Sequence, residues 1–263
     1  MSIIHTIIIS IVEGLTEFLP ISSTAHMDIT RLLLGIPASS FIKSFEIIIQ
    51  LGAIMAVAVL YFKKVFSSWK YIMNLAIAFI PTGIIGFILY KLIKTFLLGN
   101  IWVEALALLI GGIVIILFET SNNSLNEEED SKESIENMSF KQLITLGMAQ
   151  ALAVIPGVSR SGAVIIAGRA MKINRMLITE FSFLLAVPTM LSATLYDIYK
   201  SGFSFSSGDW GSIILGFIVS FVVALIVIKW FLSYIRKHSF KIFGWYRIAL
   251  GLILILALFF KLI

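Results

Sequence analysis

The chain has no cysteine among its 263 residues, and only 13% of those residues are charged. Without a thiol there are no disulfides, no thiolate metal ligands and no cysteine nucleophile. A soluble domain carries about a quarter charged residues. Charge this sparse, with 59% hydrophobic residues and a mean hydropathy of +1.01, identifies the surrounding solvent as lipid. These shortages exclude a soluble enzyme, a secreted disulfide module and a nucleic-acid reader. The net charge of +5 needs no nucleic-acid partner, because Lys and Arg at helix ends set membrane orientation. The first apolar stretch has no basic lead and runs into Glu13, which argues against a cleaved signal peptide.

Six apolar stretches predict helices that cross the bilayer: about Phe45–Phe62, Tyr71–Tyr90, Ile101–Glu119, Phe181–Tyr199, Gly211–Leu232 and Gly244–Leu262. Pro81 and Pro188 fall inside two of them, which lipid tolerates where a neighbour or cavity satisfies the freed carbonyls. Two further stretches do not qualify. Ile3–Val12 is half a span long and leads into Glu13, Glu17, Pro20 and a Ser-Ser-Thr run. Phe140–Ile155 leads into Pro156, Gly157, Ser159, Arg160 and Ser161. Each then resumes as a short helix, and half-span, polar break, half-span predicts a re-entrant hairpin. The expected fold is one all-α integral membrane domain over residues 1–263, with about six transmembrane helices and two re-entrant hairpins.

Lys63, Lys64 and Lys70 follow the first span, and Arg236, Lys237 and Lys241 precede the last, so both connections are expected on the cytoplasmic side. Alternation puts Lys91–Asn100 and Lys200–Asp209 outside, and the acidic stretch Asn122–Ser139, with Glu127, Glu128, Glu129 and Asp130, inside as a solvated loop. The first hairpin then enters from outside and the second from inside, each followed by three spans. This predicts inverted-topology repeats, about 1–120 and 140–263, joined by a loop at about 121–139. Pro20–Ser23 can be laid on Pro156–Ser159, and Phe45–Gly52 loosely on Phe181–Pro188. Sites in such proteins lie between the halves near mid-membrane, so the two polar tips should meet.

Glu13 and Glu17 are four apart and share a helix face. Two carboxylates there are costly in lipid unless paired, metal-bound or wet; the bland alternative is a salt-bridged helix end. Just beyond, Ser22, Ser23, Thr24 and His26 place hydroxyls and an imidazole next to the carboxylates, the minimum for nucleophilic attack with a general base or acid. Taken alone, this run also reads as a helix cap. Arg160 between Ser159 and Ser161, flanked by glycines at a helix start, suits a phosphate through the guanidinium, the helix dipole and backbone N–H groups. Carboxylates beside such an Arg could also hold a hard divalent cation. Glu46 and Gln50 line the same cavity or lock hairpin to span, Asp197 reads as a cap or ion-pair partner, and Glu104, Glu119 and Glu180 as span-end residues. Phosphoryl chemistry on a lipid-borne phosphate and transport of an anion both fit.

Glu13–His26 resembles the first signature of the undecaprenyl-diphosphatase family, also called bacitracin-resistance proteins, and Pro156–Ala163 resembles the second. Phe45–Gly52, Glu180–Pro188 and the basic stretch before Tyr246-Arg247 add to the likeness, which covers nearly the whole chain. The family often has Gly where this chain has Ala25, a change that leaves every reacting group in place. The resemblance implies a multi-pass inner (plasma) membrane phosphatase converting undecaprenyl diphosphate to undecaprenyl phosphate. That reaction recycles the carrier for peptidoglycan synthesis, supports cell shape and confers bacitracin resistance. It implies a divalent cation, Mg2+ or Ca2+, and a site open to the periplasmic side. Glu17, Ser23, His26 and Arg160 would be catalytic, Ser22, Thr24, Ser159, Arg160 and Ser161 would bind phosphate, and Glu13 with Glu17 would hold the metal. Whether Ser23 attacks or only ligates, and whether Glu17 or His26 is the base, stays open. So do homodimer formation and a transporter or flippase of a phosphorylated polyprenyl lipid.

Overall fold

The computed structural model describes residues 1–121, 134–201 and 209–261. The acidic run from Glu127 to Asp130 and most of the connection after Lys200 lie outside the described residues. Ten α-helices are present among those described: α1 (Ile3–Thr16), α2 (Ser23–Leu33), α3 (Ser40–Val65), α4 (Trp69–Leu92), α5 (Ile101–Ser121), α6 (Phe140–Ala151), α7 (Arg160–Ala170), α8 (Arg175–Ser201), α9 (Asp209–Ile235) and α10 (Lys241–Phe259). Six of them, α3, α4, α5, α8, α9 and α10, are long and apolar enough to cross a membrane. The protein is an all-α integral membrane protein. The helices overrun the apolar stretches that predicted them: α3 carries Lys63 and Lys64, and α8 begins at Arg175. Hydropathy marks only the part in hydrocarbon, whereas Lys and Arg stems continue the helix into the interface. The α4 rod also continues through a π-helical turn, Ile93–Leu97, so the Lys91–Asn100 connection shrinks to its last residues. The final helix stops at Phe259, short of the expected Leu262.

The order short, short, long, long, long occurs twice. Three backbone landmarks recur at one and the same sequence separation. Ser2 and Ser139 cap α1 and α6 with identical dihedrals, φ −72° and ψ 155°. Ser22 and Ser159 stand in the left-handed region at φ 71° and 72°, and Gly35 and Lys172 do so at 65° and 61°. The hairpin exits match as well: Arg31 donates to Ile36 O and Arg169 to Ile173 O, each at 3.1 Å. By this correspondence Ser22, not Ser23, takes the place of Ser159, and Ser23 takes that of Arg160. The sequence alignment of the two tips ran one residue out of step, because a shared Pro and Ser outweighed a register that only the backbone records.

Packing follows the same exchange, with α1 against α9 as α6 lies against α4, and α3 against α8 and α5 against α10 at the centre. Small residues permit these approaches, as expected where lipid offers no hydrophobic drive between helices. A Cβ on Gly14 would meet Ser220 O at 2.8 Å, one on Gly112 would meet Gly244 O at 2.7 Å, and one on Gly147 would overlap Ala78 O. Backbone cannot rotate away, so Gly147→Val is expected to destabilise by about 1–3 kcal/mol and to lower the melting temperature in detergent.

The exchange is incomplete, and one departure bears on the site. α3 and α9 close tightly: a Cβ on Gly52 would meet Phe217 O at 2.7 Å, and one on Gly216 would meet the Phe45 ring at 2.7 Å. Their counterparts α8 and α4 stand farther apart. The atoms nearest to a Cβ on Gly83 belong to Phe79 of its own helix, and a Cβ on Gly86 would meet nothing within 4 Å. A cavity of about 410 Å3 fills the gap.

Candidate active site

Each tip sits where a short helix begins, α2 and α7, and the tips touch. Gly157 N–H donates to Thr24 Oγ1 at 3.4 Å, and the Ser161 hydroxyl donates to Leu19 O at 3.2 Å. Between them lies Glu17. One of its carboxylate oxygens accepts from the Ser23 hydroxyl and the other pairs with Arg160 Nη2. All three groups line the cavity, together with Ser22, Thr24 and Ser159. The second guanidinium nitrogen, Arg160 Nη1, is buried with no partner, so one donor of the guanidinium has no protein acceptor. The walls beyond are apolar and climb α4 through Phe79, Gly83, Phe87 and Tyr90 to Lys94 and Leu98, facing Met190, Ala193 and Tyr196 on α8. Phe87 lines the cavity and is also 64% exposed to the surroundings, so the gap between α4 and α8 opens sideways. An anion site with a hydroxyl and a carboxylate at one end, and a greasy slot at the other, matches an amphiphile with a phosphorylated head.

Comparison with known proteins agrees with that shape. The family described as "Bacitracin resistance protein BacA" matches residues 6–253. The chain belongs to that family. Among its relatives, the undecaprenyl-diphosphatase of Aquifex aeolicus is 51% identical over 249 residues, covering 95% of this chain and 96% of the relative. That of Sulfurihydrogenibium sp. is 46% identical over 253 residues, 96% and 98% of the two chains. That of Flavobacterium johnsoniae is 44% identical over 263 residues, 99% and 97%.

Against what the bacitracin-resistance family resemblance implied, the structure sorts the residues. Glu17, Ser23 and Arg160 come together, with Ser22, Thr24 and Ser159 beside them. Ser161 is turned inward to Leu19 O and the Ser159 hydroxyl, 3.2 Å from each, so it stitches the tips rather than facing the cavity. His26 is not a cavity residue in this structure. Its Nδ1 lies 2.7 Å from Ser22 O and its Nε2 lies 2.7 Å from the Tyr246 hydroxyl. A carbonyl only accepts, so Nδ1 carries the proton and Nε2 accepts from Tyr246. Both nitrogens are occupied, one by Ser22 and one by Tyr246 of α10, which leaves Glu17 as the ionisable group in contact with Ser23. Glu13 is fully buried next to Glu17, and no donor reaches either of its oxygens. Among the described residues no group of three or more acidic or imidazole side chains could hold a metal unaided.

Asp197, expected as a cap or ion-pair partner, pairs with Lys94 and also meets Tyr90 and, at 3.3 Å, Ser44 at the far end of the cavity. One functional candidate escaped the sequence reading. Arg247 is 1% exposed and binds carbonyls of both tips. An arginine inside an apolar span was the available signal, since intramembrane charge is functional by default.

Proposed function

We propose that the protein hydrolyses undecaprenyl diphosphate to undecaprenyl phosphate and inorganic phosphate at the junction of the two tips. The single observation that carries this is Glu17 held between the Ser23 hydroxyl and Arg160 on the wall of a laterally open apolar cavity. A transporter needs an anion site but no hydroxyl paired with a base; the Ser23–Glu17 contact favours the phosphatase. The name borne by the relatives at 44–51% identity supports the same reading.

The mechanism follows from what each group touches. The diphosphate displaces Glu17 from Arg160, whose freed edge and Nη1 bind the terminal phosphoryl oxygens. Ser23 Oγ attacks that phosphorus while Glu17 takes the hydroxyl proton. The new Oγ–P bond forms as the bridging P–O bond breaks, and the lipid monophosphate leaves with the proton that Glu17 took, which restores the carboxylate. Water then attacks the phosphoserine with Glu17 as base, giving inorganic phosphate and restoring the hydroxyl. N–H groups at the first turns of α2 and α7 face the developing charge.

The donor set fits a divalent cation. Glu13 presents two oxygens with no hydrogen-bond donor beside a second carboxylate, which is hard-ligand chemistry, and phosphate oxygens and water would complete the shell. Glu13 and Glu17 would hold Mg2+ or Ca2+. When bound, the ion offsets phosphate charge.

The cavity mouth at Lys94 and Leu98 lies at the end of α4 away from Lys63, Lys64 and Lys70. The positive-inside rule therefore supports an outward-facing site in the inner membrane, with the two halves as inverted repeats. Purified protein in detergent is expected to release phosphate from a polyprenyl diphosphate only with Mg2+ or Ca2+. Arg160→Ala should lower kcat/KM about hundred- to thousandfold, the cost of removing one charge-stabilising donor. No release from folded wild type overturns the proposal.

A further inference from the structure

Both tips turn on a serine in the left-handed region, Ser22 at φ 71° and Ser159 at φ 72°. A non-glycine residue there costs about 1–3 kcal/mol and persists only where its surroundings over-determine it. Two consecutive residues of α10 supply that constraint. Arg247 Nη1 donates to Pro20 O at 3.1 Å and Val158 O at 3.0 Å, and Nη2 donates to Gly157 O and Ala107 O at 2.9 Å. Its Nε reaches Leu108 O at 3.4 Å. One buried guanidinium thus ties the first tip, the second tip and α5 with backbone carbonyls alone. Tyr246 donates to His26, which donates to Ser22 O, and the two rings stack at 5.6 Å and 12°.

The carbonyls so held are those at and just before the two left-handed serines. In a trans peptide the N–H points opposite to the C=O. Pinning Val158 O toward α10 therefore turns the Ser159 N–H away from it, and Ser159 lines the cavity on that far side. A buried charge stripped of water is costly unless its donors are satisfied; here the tip carbonyls satisfy them, and a hydrocarbon side chain would leave those carbonyls unpaired.

We propose that Tyr246 and Arg247 act as a clamp, positioning residues that set the backbone of both tips and thereby aim Ser23 and Arg160. The inference rests on the phosphatase reading for its effect on turnover, but not for its effect on the tips. Gly111 provides a perturbation from the opposite side. The three atoms nearest to a Cβ there all belong to the Arg247 guanidinium. Gly111→Ala pushes that group from α5 without changing a charge.

Gly111→Ala, Arg247→Lys and Tyr246→Phe are each expected to lower kcat per folded enzyme at least about tenfold, since a misplacement of about 1 Å can cost about hundredfold. KM should move less than kcat. The Gly111→Ala, Arg247→Lys double variant should be no worse than the poorer single one, because both act on one contact. Hydrogen exchange at residues 18–24 and 155–161 should rise in Gly111→Ala and Tyr246→Phe, and stay unchanged in the helices beyond. If Arg247→Lys does not fold, those two variants carry the test. Exchange reads the clamp even if wild type releases no phosphate, an outcome that removes the phosphatase reading alone. Wild-type kcat with only a lowered melting temperature, or unchanged exchange at both tips, overturns the clamp.

Discussion

Ser23→Ala and Glu17→Gln are each expected to reduce phosphate release per folded enzyme by about a thousandfold or more. Among the described residues Ser23 holds the only hydroxyl hydrogen-bonded to Glu17, so in the proposed mechanism removing either partner removes the nucleophile or its base. General-base assistance by itself is worth about hundred- to ten-thousandfold. Phosphate release from a polyprenyl diphosphate and acid-quenched trapping of phosphoserine measure the two consequences. Ser23→Ala should abolish both. Turnover by that variant above about a tenth of wild type would mean that water attacks directly and Ser23 only ligates. Glu17→Gln also breaks a buried ion pair, a loss that can reach about 3–5 kcal/mol, so its melting temperature must accompany its rate. A variant that folds and is inactive isolates the chemical role. His26→Ala provides the contrast: with both imidazole nitrogens bonded to Ser22 and Tyr246, its loss should act as clamp variants do, on kcat and on exchange at the first tip.

Gly86→Trp is expected to lower kcat/KM for a long polyprenyl diphosphate at least about hundredfold, while a short-chain, water-soluble diphosphate is turned over almost normally. Gly86 lines the cavity on α4, and a Cβ there meets nothing within 4 Å. An indole therefore enters open space, the slot between α4 and α8, without straining a helix contact. Each buried methylene is worth about 0.8 kcal/mol and each tenfold in affinity about 1.4 kcal/mol. Excluding three or four methylenes from the slot already supplies the effect. The chemistry at Glu17, Ser23 and Arg160 is untouched, so the short substrate reports on the tips and the long one on the slot. Equal losses for both substrates, or no loss for either, would show that the tail runs elsewhere. Gly147→Val is the opposite case, a glycine whose Cβ overlaps backbone and whose replacement acts on stability.

The difference between those two glycines was invisible in the sequence. Both stand in apolar helices with similar neighbours, yet Gly147 faces Ala78 across a contact and Gly86 faces a void. The same holds for the pairing of long helices. α3 against α9 and α4 against α8 are equivalent by element order, and the small residues Gly52, Gly216 and Ser220 let one pair close while the other stays apart. The tips were legible because a polar run between apolar half-spans has few physical explanations in lipid. Glu17, Ser23 and Arg160 were found on that ground and are found together. His26 was equally conspicuous, and its ring is turned to α10 by a tyrosine more than two hundred positions away.

Composition and patterning by themselves determined the solvent, the number of spans, the two broken segments and the residue types that could act on a phosphate. These follow from local rules: apolar length against bilayer thickness, and the cost of leaving a backbone or charge unsatisfied in hydrocarbon. Tertiary structure alone decided which carboxylate touches the serine and which nitrogen of His26 carries a proton. It also decided that Arg247 binds carbonyls rather than an acid, and which helix pair parts to leave a cavity. Each of those depends on distances between residues far apart in the chain, and a one-dimensional pattern carries no record of them.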